Sequence, residues 1–180
     1  MKEITWFGRG GQGAFTASRI LGAAAMTKGY KSIAFPSFGP ERRGAPIRDF
    51  TKISAGPVTD RSVIEKSDYI IVLDDTLYDE KMPKLLKEGG RILINTLKPA
   101  SFFKGERVLA KDISTIAVKH LKRPIVNIAI LGLLIDLDKD IDLESVISAV
   151  NGYMSPKIAE KNIDLLKEVI ESLNNQTTEF

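Results

Sequence analysis

The residue types and spacing best suited to chemistry lie near the start of the chain, in Gly8-Arg9-Gly10-Gly11-Gln12-Gly13. Gly8, Gly10 and Gly13 keep the G-x-G-x-x-G spacing, with Gly11 as a fourth glycine. Glycines without a Cβ adopt positive φ and let a phosphate come close to backbone N–H groups. A helix beginning beside Gly13 would aim its positive dipole end and unpaired N–H groups at the same point. Arg9 would add a formal charge. The plainer alternative is a tight strand-to-helix turn that needs glycine for geometry only.

The residues beyond the turn narrow the class of phosphate compound. A dinucleotide fold of the NAD type places an acidic residue about 20 residues beyond the glycines, where it holds the ribose hydroxyls. Here the second strand closes on Ala34-Phe35-Pro36-Ser37, and the first acid after the turn is Glu41. NAD is therefore disfavoured, whereas NADP stays open because Arg42 or Arg43 could hold a 2′-phosphate. The segment Phe38, Glu41, Arg42, Arg43, Gly44 sets two guanidiniums beside an aromatic ring and a glycine. Arginine suits bidentate phosphate or carboxylate contacts and stacking on flat rings. The alternative is a solvated loop in which Glu41 neutralises one arginine.

Other polar residues fall at strand ends or on helices. Asp74 and Asp75 follow an apolar strand and are expected to cap the next element rather than bind metal. Asn95 and Thr96 end another strand and are available to a ligand. Asn127 lies in a very apolar stretch and needs a partner if buried. His120, flanked by Lys119 and Lys122, is expected to face solvent. The chain offers no Ser–His–Asp set, no metal-ligand cluster and no nucleophile, so no catalytic residue is assigned to it.

The elements that must position these residues alternate between strand and helix. Strands are predicted over Glu3–Phe7, Ser32–Phe35, Ile47–Ile53, Tyr69–Leu73, Arg91–Asn95 and Arg107–Ala110. The runs YIIVL and RILIN are continuously apolar, as in strands covered on both faces. Helices are predicted over Ala14–Lys28, Tyr78–Lys87 (stopped by Gly89-Gly90), Ile113–Leu121 and Ile125–Leu137. Asp142 caps a further helix, and Ser155-Pro156 opens the last, with Ile158, Leu165, Val169 and Leu173 on its buried stripe. Asn174–Phe180 reads as a frayed tail. The expected fold is α/β: a Rossmann-like open, largely parallel sheet flanked by helices, with a helical C-terminal third, in a single domain over 1–180. Ligands of such sheets bind beyond the carboxyl ends of the strands, which selects the loops 8–13, 36–46, 74–76 and 95–97.

Composition removes several classes of function. No cysteine is present, which excludes disulfides and thiolate ligation of zinc or iron–sulfur clusters by this chain. One histidine cannot build a histidine-rich metal site. A net charge of +3, with basic residues scattered among acids, argues against nucleic acid. The apolar run 125–137 is too short to span a bilayer. The sequence enters a strand at once with no signal peptide, so the cytoplasm is the expected compartment.

Taken together, GRGGQGAFTASRIL and FPSFGPERRGAPI resemble the γ subunit of 2-oxoacid:ferredoxin oxidoreductases, in the pyruvate synthase form. The likeness continues through SDYIIVLDDTL, RILINT, RPIVNIAILG and SPKIAEKNIDLLKE, covering nearly the whole chain, and RRGAP tilts it to pyruvate. The resemblance implies a γ-type domain in a multi-subunit enzyme that oxidatively and reversibly decarboxylates a 2-oxoacid to acyl-CoA and CO2. It implies α, β and δ partner subunits and ferredoxin as electron acceptor. Thiamine pyrophosphate, magnesium and 4Fe–4S clusters would sit in those partners, and coenzyme A would be met by this chain. Gly8, Arg9, Gly10, Gly11, Gln12 and Gly13 would then face CoA phosphates, with Ser37, Arg42, Arg43 and Gly44 lining the second side. A subunit for 2-oxoglutarate, 2-oxoisovalerate or indolepyruvate, a stand-alone NADP-dependent oxidoreductase, and a purely structural module remain the alternatives.

Overall fold

The computed structural model describes residues 1–37, 43–103 and 107–177. Phe38, Glu41 and Arg42 lie outside them. Among the described residues six strands form one sheet: β1 (Lys2–Arg9), β2 (Lys31–Pro36), β3 (Pro46–Ser54), β4 (Ser67–Val72), β5 (Leu86–Asn95) and β6 (Val108–Lys111), in the order β2-β3-β1-β4-β5-β6. The β1–β4, β4–β5 and β5–β6 pairs are parallel, whereas β3 runs antiparallel to both β1 and β2. The sheet is thus α/β and mostly parallel, with one reversed strand. That reversal has a positional consequence. Because β3 starts where β2 ends, Arg43, Gly44 and Ala45 stand at the carboxyl edge, next to the end of β1.

Five helices accompany the sheet among the described residues: α1 (Ala14–Thr27), α2 (Ile113–Leu121), α3 (Leu131–Leu137), α4 (Leu143–Tyr153) and α5 (Pro156–Thr177). Their apolar sides share one core with Ile4, Trp6, Ile53, Ile71, Leu73 and Leu93, so all five lie on one face of the sheet. Alternation sends Ile70, Val72, Ile92 and Ile94 to the other face. This explains why Ile70–Leu73 and Ile92–Ile94 are unbroken apolar runs. α1 lies close to the sheet because its inner side is small: Ser32 Oγ donates to the Gly22 carbonyl at 2.8 Å. Asp112 and Asp142 cap α2 and α4, accepting from the N–H groups of Thr115 at 3.0 Å and Ser145 at 2.8 Å. Pro156 opens α5 as expected.

Four elements differ from the sequence expectation. The helix expected over Tyr78–Lys87 does not form. One 3-10 turn, Met82–Leu85, stands there instead, with another, Asp75–Leu77, just before it. Pro83 lacks the N–H a helix interior needs and restricts the residue before it. Leu77, Tyr78, Met82 and Leu85 still cover the second face, together with Phe103. Gly89 and Gly90 then lie inside β5, which begins at Leu86 rather than Arg91, at a register shift between Ser67 and Tyr69. In the run Ile125–Leu137, regular α-helix covers only Leu131–Leu137, and the residues before it form tight turns. The predicted tail is helical through Thr177, and Ile158 is exposed instead of buried.

Candidate functional site

At the carboxyl edge, β1 leads into the glycine turn. Gln12 closes it twice, its N–H donating to the Arg9 carbonyl at 2.9 Å and its side-chain Oε1 accepting from the Arg9 N–H at 2.8 Å. Gly11 and Gly13 have φ of 93° and 80°, in the left-handed region that disfavours residues with a Cβ. α1 then starts with no side-chain cap and no acidic residue in its first turn. Its first N–H groups and positive dipole end therefore face the turn uncompensated by any carboxylate of that turn.

The second loop joins this turn through the backbone. Gly10 and Arg43 form a parallel bridge. The Gly10 N–H donates to the Ala45 carbonyl at 2.8 Å, and the Gly44 N–H donates to the Gly10 carbonyl at 2.9 Å. Arg43 and Gly44 are exposed there, and half-buried Ser37 closes the β2–β3 hairpin by donating its N–H to the Arg48 carbonyl at 2.8 Å. Gly8 to Gly13, Ser37, Arg43 and Gly44 thus gather at one edge, as the loop selection requires.

Arg9 takes a direction that the sequence leaves open. Its guanidinium crosses to the β4 side, with Nε 3.0 Å from Asp74 Oδ2 and Nη2 donating to Thr76 Oγ1 at 2.8 Å. Nη1 donates back to the Gly44 carbonyl at 3.2 Å. One side chain therefore ties the glycine turn, the second loop and the end of β4 together. Burial by itself would raise the Asp74 carboxyl, but hydrogen bonds from Thr76 and Arg9 outweigh it and hold Asp74 below its ordinary value. Asp74 also caps the following 3-10 turn through the Thr76 N–H at 3.0 Å, the capping role expected of it.

Beside the turn lies a cleft of about 510 Å³. Gly11 and Gln12 form one lip, and Asp74, Asp75, Asn95 and Thr96 the floor. Leu97, Lys98, Asp112, Ser114 and the segment Pro124-Ile125-Val126 complete it. Ser37, Arg43 and Gly44 do not line it. They stand on the β3 side of the turn, and the cleft opens on the β4 side. Its carboxylates have partners: Thr96 Oγ1 donates to Asp75 Oδ2 at 2.6 Å, and Lys98 Nζ is 3.3 Å from the same oxygen. Asn95 serves the fold. Its Oδ1 accepts from the N–H groups of Ile113 and Ser114 at 3.0 and 3.1 Å, and its Nδ2 donates to the Leu73 carbonyl at 3.1 Å.

Two further polar residues find structural partners. Buried Asn127 donates to the Gly13 carbonyl at 3.2 Å, as its position in an apolar stretch demanded. His120 is half-buried rather than free in solvent, with Nε2 2.6 Å from Glu168 Oε2. Sequence reasoning missed Lys98, Ser114 and the 124–126 segment as cleft residues. Pro124, which disfavours helix at the residue before it and so marks a loop there, was the available signal. Among the described residues no group of three or more His, Cys, Asp or Glu could hold a metal ion, and no helix is long and apolar enough to cross a membrane.

Comparison with known proteins agrees along the chain. The family "Pyruvate ferredoxin/flavodoxin oxidoreductase" matches residues 3–172. The pyruvate synthase subunit PorC of Methanothermobacter marburgensis is 39% identical over 178 residues, covering 97% of this chain and 99% of that protein. The pyruvate/ketoisovalerate oxidoreductases common subunit gamma of Thermococcus litoralis is 39% identical, covering 95% of this chain and 96% of its own. The crystal structure of a pyruvate oxidoreductase subunit from Thermotoga maritima superposes with a TM-score of 0.82 at 33% identity, covering 94% of this chain and 95% of that one.

Proposed function

Since the chain belongs to the pyruvate ferredoxin/flavodoxin oxidoreductase family as a gamma subunit, we propose that it forms one wall of the coenzyme A site in a cytoplasmic pyruvate:ferredoxin oxidoreductase. Family membership gives it a role as a subunit of a ferredoxin-linked enzyme complex that decarboxylates 2-oxoacids. In this reading 1–180 is one gamma-type domain. α, β and δ subunits supply thiamine pyrophosphate, magnesium and the iron–sulfur clusters, and ferredoxin accepts the electrons.

The observation that carries the reading is the fusion of Gly10 with Arg43 and Gly44 into one backbone-bridged surface. Two left-handed glycines, an uncapped helix start and an exposed arginine suit an anionic phosphate. The cleft suits it less, because Asp74, Asp75 and Asp112 line it against the cation Lys98, which pairs with Asp75, and like charges repel at short range. Phosphates therefore belong on the Gly11–Arg43 side. The cleft, with Thr96 and Ser114 among Leu73, Pro124, Ile125 and Val126, suits the neutral, amide-bearing pantetheine arm. The decarboxylation chemistry is carried by the partners, and this chain's residues bind and orient the acyl acceptor.

The test is steady-state kinetics on the purified complex with pyruvate, CoA and ferredoxin. Arg43→Ala raises KM for CoA about tenfold, as expected for a lost charge-assisted hydrogen bond, and leaves KM for pyruvate unchanged. An unchanged KM for CoA overturns the assignment. A second reading is favoured by the Thermococcus relative, which is named as common to pyruvate and ketoisovalerate oxidoreductases. It has this chain shared by two enzymes. Co-purification of the native chain with two different catalytic sets would establish it, and a single set would dismiss it.

A further inference from the structure

α1 and the corner between α4 and α5 make a surface that the proposed coenzyme site does not use. Arg19, exposed on α1, lies over the Phe15 ring at 5.9 Å and over the Tyr153 ring at 5.1 Å. A guanidinium held against two rings is fixed in position while its N–H groups remain available in its own plane. Tyr153 is 44% exposed, and Ile158, just across the Ser155-Pro156 turn, is 55% exposed. Ile158 is seven residues from buried Leu165 on α5, so its helical position predicts burial that this chain alone does not supply.

Charge singles out the same surface. No acidic residue occurs in 14–29 or in 145–159, the acids resuming at Glu144 and Glu160, whereas the cations Arg19, Lys28 and Lys157 do, Lys28 being paired with Asp142. Among the described residues, no carboxylate pairs with Arg19 or Lys157. Tyrosine, other aromatics and arginine are the residues over-represented at interface cores and hot spots. A second copy is a poor occupant, because two-fold pairing on this patch sets cations against their own copies.

The geometry points to a docking surface for an acidic segment of a partner subunit, with a carboxylate on the Arg19 edge and an apolar side chain covering Tyr153 and Ile158. This rests on the chain being a subunit of a complex and is independent of how coenzyme A binds. The docked carboxylate desolvates a guanidinium that is already oriented, which favours a fixed register of the two chains over raw affinity.

Hydrogen–deuterium exchange on the free chain and on the native complex tests it, together with carbodiimide cross-linking. The expected result is protection of 151–158 in the complex and a Lys157 cross-link to an Asp or Glu of another chain. Arg19→Glu, shown to fold by circular dichroism, weakens retention of the subunit at least about tenfold. An intact complex with unchanged exchange at 151–158 overturns the surface while leaving the KM test of the coenzyme site standing. Protection that grows with concentration of the free chain assigns the patch to a second copy and overturns it. So does protection produced in the free chain by CoA alone. A chain that never associates with catalytic subunits overturns both this surface and the subunit reading.

Discussion

Asn127 stands directly over Gly13: its Nδ2 donates to the Gly13 carbonyl, and a Cβ built on Gly13 would come within 2.5 Å of that same nitrogen. Two requirements therefore converge on this glycine, a φ of 80° and the absence of a side chain. At Gly11 only the first applies, since the nearest atom to an added Cβ is Arg43 Cγ at 3.9 Å. Gly13→Ala is expected to cost about 2–4 kcal/mol from left-handed strain plus overpacking, and Gly11→Ala about 1–2 kcal/mol from strain alone. Urea denaturation of both variants checks the order. Adding Asn127→Ala removes the clash, so Gly13→Ala/Asn127→Ala should cost less than the sum of the two single changes.

Arg9 and Arg43 should separate in their effects. Arg9 bonds to Asp74, Thr76 and the Gly44 carbonyl, whereas Arg43 presents an exposed side chain. Arg9→Ala is expected to lower stability by about 1 kcal/mol, discounted for partial exposure, and to loosen the second loop. Arg43→Ala should leave stability within about 0.5 kcal/mol of the parent. Thermal unfolding of the two variants distinguishes them. Equal losses would mean that Arg9 does not tie the turn to β4.

Asn95 belongs to the fold's hydrogen bonding, not to the ligand. Asn95→Ala strips two α2 N–H groups and the Leu73 carbonyl of their partner, and a loss of about 2 kcal/mol is expected. KM for CoA in the complex should not move. A raised KM with unchanged stability would return Asn95 to the ligand side of the cleft.

At the opposite edge, Lys28 hydrogen-bonds Asp142, which also caps α4. These bonds, the Lys28 bond first, hold the Asp142 carboxyl down to about 2 against an ordinary 3.8. A carboxyl depressed in the folded state stabilises above its unfolded value and loses that contribution as pH falls through its folded value. The stabilisation is therefore present above about pH 4 and disappears toward pH 2. Lys28→Ala should flatten the fall in stability across that window, which denaturation at a series of pH values will show.

Local sequence determined more of this protein than its element boundaries suggest. Glycine spacing dictated the turn at Gly8–Gly13, because positive φ is open to glycine at little cost. Continuous apolar runs dictated β4 and β5, because both faces of those strands are buried. Asp112, Asp142 and Pro156 started their helices through interactions only three residues long or shorter. The motif strings GRGGQGAFTASRIL and FPSFGPERRGAPI also carried the family.

Tertiary structure decided what those parts do with each other. The reversal of β3 places Arg43 and Gly44 against Gly10, and no local pattern encodes the direction in which a strand joins a sheet. Pro83 turned a predicted helix into a 3-10 turn, since the second face needed covering by Leu77, Tyr78 and Met82 but not by a regular helix. Arg9, read as a charge for a ligand, meets Asp74 across 65 residues of chain. Asn127 meets Gly13 across 114. Such partners are chosen by burial, which leaves each polar group only the neighbours that packing brings within reach. For the glycine turn, residue types set which conformations were allowed, and the fold settled what each of its faces would meet.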